Sequence, residues 1–168
     1  NVGLVAPAPL EAVQLEDFDR LMHLNLRTSI ICAQLVVPEM RRHGGGRIVF
    51  NTSRVTKGKL DRTLYSATKG AAQSMARTWA LELGKDSITV NCVAPGPVDT
   101  KLALAVHSPQ IRAAYHDAMP LNRYGTEAEI AEVIVFLCSD RASYVTGQVV
   151  AADGGFEATG IGLPALRG

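Results

Sequence analysis

A tyrosine and a lysine stand four residues apart in the stretch 62–74, at Tyr65 and Lys69. The stretch is helix-prone, so this spacing stacks the two side chains on one face. A free phenol ionises at about pH 10. A neighbouring ammonium favours the phenolate and lowers that value. Upstream, Ser53 closes an apolar run, and a serine hydroxyl there could hold a substrate oxygen against the tyrosine. The three residue types together suit carbonyl reduction or alcohol oxidation. One proton would pass through Tyr65 while a hydride moves to or from a cofactor. A lone Y-x-x-x-K is usually an exposed helical pair with no chemistry. Ser53 before it and the Pro95-Gly96 turn after it favour the catalytic reading.

These side chains must be positioned by strands and helices. Segments 47–53, 87–94 and 147–152 read as strands, each with an apolar run of the kind buried on both faces of a parallel sheet. The segment 15–43 is helix-prone, with Asn25 and Pro38 expected to interrupt it. Arg41 and Arg42 lie in its last turn, before the glycine stop at 44–46. In 65–83, Ala72, Met75, Trp79 and Leu83 share one face, and Gly84 is the expected stop. Thr126 and Glu129 form a capping box ahead of Ile130, Val133, Ile134 and Leu137. The alternation implies βαβ units and an α/β fold. In such sheets sites form at the carboxyl ends of strands. Ser53, Tyr65, Lys69 and the Pro95-Gly96 turn are therefore expected on one rim. Three strands leave exposed edges, so the pattern reads as the second half of something larger.

Composition narrows the class. The 168 residues are 47% hydrophobic with a net charge of +1, which suits a globular domain and implies neither nucleic acid nor an anionic membrane surface. The most apolar segment is too short and interrupted to span a bilayer. Cys32, Cys92 and Cys138 are far apart in apolar contexts, and are expected as buried free thiols in a reducing, cytoplasmic setting. The four histidines show no metal-ligand spacing. His107 and His116 read as solvated polar residues.

Five landmarks in order resemble the short-chain dehydrogenase/reductase family: "HLNL" at Asn25, "GRIVFNTS" ending at Ser53, "YSATK" at Tyr65 and Lys69, "VNCVAPGPVDT", and "YVTGQVVAADGG". The resemblance covers nearly the whole chain. It implies a partial Rossmann-like, doubly wound parallel sheet with flanking helices, whose first βαβ units and glycine-rich phosphate turn are missing from the chain. Residues 1–168 would form a single catalytic, carboxyl-terminal portion of that domain. The implied cofactor is NAD or NADP, and the implied substrate a small carbonyl or alcohol. Tyr65 would be the general acid/base, Lys69 would lower its pKa and bind the nicotinamide ribose, and Ser53 would orient the substrate oxygen. Asn25 would break its helix and hold a water in a proton relay. Pro95, Gly96, Val98 and Thr100 would meet the cofactor, with Val98 offering backbone groups to the nicotinamide amide and Thr100 near the phosphates. Arg54 departs from the family, which often has a smaller residue there. The segment 159–168 contains glycines but resembles no phosphate loop.

The resemblance also implies a homodimer or homotetramer. Helix 26–40 is apolar nearly all round, and Ala71, Ala72 and Ala76 are expected to let a partner helix approach. A non-catalytic, truncated relative acting in oligomer assembly is the competing reading. An epimerase or dehydratase of the same family is a third, which would need a larger substrate domain.

Overall fold

The structure is a computed structural model and describes residues 3–101, 103 and 107–158. The segment 159–168 and residues 1 and 2 lie outside the described residues. After a short 3-10 turn at Leu10–Ala12, α1, Leu15–Leu21, passes through a widened π turn, Met22–Arg27, into α2, Thr28–Arg42. Strand β1, Gly46–Asn51, is followed by α3, Thr63–Leu83, and β2, Ile88–Pro95. Helices α4, Pro109–Ala118, and α5, Glu127–Cys138, precede β3, Val149–Ala152. The sheet is parallel in the order β1-β2-β3, with Ile48 opposite Val90 and Val93 opposite Val150.

Strand β2 is central and buried along nearly its whole length. Its side chains alternate between two cores, as the pleat requires. Val90 and Cys92 pack with Ala72, Ala76 and Leu83 of α3 on one face. Val93 packs with Ile130 and Leu137 of α5 on the other. Helices on both faces of a parallel sheet make the fold α/β, as the strand and helix pattern implied, and Rossmann-like, as the family resemblance implied.

Several expectations change. Strand β1 is only partly covered apart from Phe50, because it is an edge strand. Pro38 does not interrupt α2; it sits on an exposed stretch, where water can satisfy the carbonyl that loses its partner. Gly84 does close α3 as expected, at φ −59°, and the chain runs on in a short 3-10 turn, with Ser87 taking the left-handed conformation at φ 57°. Cys92 is buried, whereas Cys32 and Cys138 are exposed on outward helix faces. Ala72 and Ala76 are also not available to a partner helix, because they form part of the sheet–α3 core. The expected capping box is present, with Thr126 and Glu129 each bonding the other's backbone N–H.

Asn91 carries a role that its apolar surroundings did not suggest. It is fully buried on β2. Its amide donates to Val145 O at 2.8 Å and its carbonyl accepts from Gln148 N at 3.0 Å. Both groups belong to the turn leading into β3, so one side chain sets where that strand begins.

Candidate active site

Ser53 follows β1 in extended conformation, φ −168°, and caps the 3-10 turn Arg54–Lys57. Its Oγ accepts from Val55 N at 3.2 Å, which leaves its own O–H proton free to donate elsewhere. Val55 O accepts from Ser66 Oγ at 3.1 Å. This bond ties the serine turn to the first turns of α3 and so holds Ser53 near Tyr65. The two residues line a single cleft of about 290 Å³, together with Gly96, Val98 and Thr100 beyond the end of β2.

Lys69 lies one turn along α3, its Nζ 5.5 Å from the centroid of the Tyr65 ring. That ammonium donates to Asn51 O at 2.7 Å and stands outside the cleft lining, as do Asn25 and Pro95. The electrostatics differ from expectation. Burial pushes the Tyr65 phenol up from its ordinary value. Burial pushes the Lys69 ammonium down, partly opposed by Cys92. In this state desolvation, rather than the lysine charge, governs the phenol.

Asn25 sits in the π turn. Its Oδ1 accepts from Leu4 N at 2.7 Å, and its Nδ2 donates to Leu4 O at 2.9 Å and to Thr68 Oγ1 at 3.2 Å. Thr68 Oγ1 in turn donates to Tyr65 O at 2.9 Å. The asparagine thus joins the amino-terminal segment, the widened turn and the Tyr65 helix. π turns inside α-helices recur at functional sites. Both ends of the side-chain amide are engaged, so the water expected at Asn25 would have to meet its backbone carbonyl instead.

The segment after β2 is held from the far side. Gly96 N donates to Ala152 O at 3.0 Å. A Cβ at Gly96 would stand 2.6 Å from Asp153 Cβ and 2.7 Å from its Cα, so only glycine permits this approach. Gly125 N donates to Pro97 O at 3.0 Å, and Asp99 N donates to Gly125 O at 2.9 Å. These bonds turn the N–H of Val98, the residue between them, away from that bridge. A backbone donor on the cleft wall fits recognition of a carboxamide. Thr100 Oγ1 accepts from Ala103 N at 3.0 Å, so its hydroxyl already serves the local turn. The hydroxyls, the backbone donor and the open rim fit the nicotinamide end of a dinucleotide. Among the described residues, no strand runs into a glycine-rich turn and helix that could receive a pyrophosphate.

Sequence reasoning placed His107 among solvated residues, but the structure places it on the cleft wall. Its Nδ1 lies 3.0 Å from Tyr124 Oη, and its ring stacks on Tyr115 at 5.5 Å. Burial first, then Lys59, Arg112 and Arg62, depress its pKa, so the neutral imidazole is favoured. Tyr115 and Lys59 also line the cleft, and neither carried a local sequence signal. A second cleft, about 460 Å³, lies behind Asp153 and Gly154. It holds none of the candidate catalytic residues, and its charged pair, Arg123 and Glu129, is bonded to itself at 2.6 Å.

Comparison with known proteins decides the family. The family model described as "Enoyl-(Acyl carrier protein) reductase" matches residues 1–157. The chain belongs to the short-chain dehydrogenase/reductase family. It is 40% identical over 157 residues to a 3-oxoacyl-[acyl-carrier-protein] reductase FabG of Thermotoga maritima, covering 92% of this chain and 63% of that protein. It is 36% identical over 156 residues to a 7alpha-hydroxysteroid dehydrogenase of Escherichia coli, covering 92% of this chain and 61% of that one. A gluconate 5-dehydrogenase of Burkholderia cenocepacia, solved in complex with NADP and tartrate, superposes with a TM-score of 0.89 at 29% identity. That match covers 94% of this chain and 63% of the other. The chain therefore spans about six-tenths of the length of the relatives it matches. Among the described residues, no helix is long and apolar enough to cross a membrane, and no cluster of His, Cys, Asp and Glu could hold a metal.

Proposed function

We propose that this member of the family forms the reaction half of an NAD(P)-dependent oxidoreductase that interconverts a carbonyl and a secondary alcohol. The observation that carries the reading is the shared cleft of Ser53 and Tyr65, with the Val98 backbone on its wall. Relatives solved with NADP or NADH bound support the cofactor class. The cofactor, when bound, supplies or accepts the hydride.

The chain's own residues handle the proton. In the reduction direction Tyr65 donates its phenolic proton to the substrate oxygen, and its raised pKa keeps that proton available. Ser53 Oγ–H donates a hydrogen bond to the same oxygen and aligns it with the phenol. In the oxidation direction Tyr65 must act as phenolate, so burial works against it. The positive charge of Lys69, 5.5 Å from the ring, is the group that offsets that cost. Lys69 is also the donor for a ribose hydroxyl, exchanging its present bond to Asn51 O. The Asn25 carbonyl in the π turn holds a water on the path by which the proton is returned. Val98 N–H binds the carboxamide, with Pro95, Gly96 and Thr100 shaping the loop around it.

The test is consumption of NADH or NADPH by the intact protein with a panel of ketones, followed by nicotinamide absorbance. Consumption with at least one cofactor is expected. None with either would defeat the reading in favour of a non-catalytic subunit.

We also propose a homodimer or homotetramer built on α2. Ile31, Leu35 and Val36 face outward on that helix, with Leu35 71% exposed. An apolar row of this kind is usually covered by another surface. The exposed free thiols Cys32 and Cys138 favour a reducing compartment such as the cytoplasm. Leu35→Arg is expected to convert the intact protein to a smaller species by light scattering, without loss of helicity, because an arginine buried there would lack a partner. An unchanged mass would place the contact elsewhere.

A further inference from the structure

Arg54 directly follows Ser53, and its guanidinium lies 4.1 Å from the centroid of the Phe156 ring. Phe156 is buried, so the arginine rests on a fixed platform, and a stacked guanidinium is already ordered before any partner arrives. Arg54 lines the same cleft as Ser53 and Tyr65. Among the described residues, no hydrogen bond or ion pair engages it. Its nearest acidic neighbours are occupied. Asp153 accepts from Gly155 N at 3.0 Å and from Glu157 N at 2.8 Å. Glu157 pairs with Lys57 at 2.9 Å. Lys59 adds a second cation to the cleft wall, its Nζ 5.6 Å from the Tyr115 ring, and the lining contains no carboxylate. Asp153 and Glu157 act on Arg54 through space but neither bonds it, so the half-buried, pre-ordered guanidinium keeps its N–H donors for a bidentate anion.

We propose that Arg54, assisted by Lys59, binds a carboxylate of the substrate, so that the carbonyl compound reduced at Tyr65 is an oxo acid. This rests on the oxidoreductase reading above. Neutral His107 leaves the two cations as the charges that select the substrate. The balance of the reaction is the ordinary one: hydride from the reduced nicotinamide to carbon, proton from Tyr65 to oxygen, with the carboxylate unchanged.

The experiment compares kcat/KM of the intact protein for a series of oxo acids and their methyl esters. The wild type is expected to prefer the acids. Arg54→Gln should lower the acid-to-ester ratio by about 10- to 100-fold, the worth of a charge-assisted hydrogen bond. Arg54→Lys should retain part of it, because the charge remains while the fork is lost. Lys59→Gln should shift the ratio in the same direction by less, and carries the test if the Arg54 variants do not fold. An unchanged ratio in all variants overturns the proposal, as does a wild-type preference for esters. A rise in cofactor KM alone, with the ratio intact, also overturns it, since the anion would then be a cofactor phosphate. Turnover of esters only would remove this inference and leave the oxidoreductase reading standing. Turnover of nothing would remove both.

Discussion

Tyr65→Phe in the intact protein is expected to lower turnover by about 100- to 10,000-fold, the usual worth of a positioned acid/base, while cofactor affinity stays within a few-fold. The change removes one oxygen and no packing. The ring remains half-buried in α3, and the bond from Thr68 Oγ1 to Tyr65 O is made by backbone. The loss should therefore fall on kcat. Steady-state kinetics beside a cofactor titration would check it. Retention of most of the activity would mean that the proton comes from another group, and the assignments of Ser53 and Lys69 would fall with it. Lowered activity together with lost cofactor binding would instead indicate a structural role.

Asn91→Leu is expected to cost about 1–3 kcal/mol of stability, because two hydrogen bonds to partly buried backbone groups are lost, each worth about 0.5–1.5 kcal/mol. Leucine keeps the branched skeleton of asparagine but replaces its planar amide with bulkier methyls, so crowding at this fully buried position adds to the loss of the hydrogen bonds. Val145 O and Gln148 N would be left without the amide that now serves both. Thermal or urea unfolding of the variant gives the number. A loss well under 1 kcal/mol would mean that water enters and takes the amide's place. The consequence for the site runs through β3. Its end, Ala152, accepts from Gly96 N, so loosening β3 should also loosen the Pro-Gly turn on the cleft.

The residues proposed to do the chemistry were legible in the sequence for a physical reason. The Tyr65–Lys69 spacing has meaning only on a helix, and the helix was evident from Ala72, Met75, Trp79 and Leu83. Ser53 stood out because it ends an apolar run, where parallel sheets collect their sites. The strands were legible because β2 is buried on both faces and so is mostly apolar, Thr89 and Asn91 apart. Glu129 and Thr126 were legible because a cap is a local interaction.

What only the tertiary structure decided depends on neighbours remote in sequence. Nothing local distinguishes Ala72 and Ala76, buried on the sheet, from small residues awaiting another helix; the direction in which α3 packs decides it. The direction of the Tyr65 pKa shift follows from desolvation by the surrounding fold, against a lysine charge that adjacency alone suggested would prevail. The Asn25 amide is committed to Leu4, a partner 21 positions away, and the widened turn that holds it has no signature in residue types. Arg54 acquires its character from Phe156, Asp153 and Glu157 at the far end of the chain. Sequence determines which groups exist and which share a local face. The fold determines which of them lose water, which find partners, and which, like Arg54, keep hydrogen-bond donors unpaired.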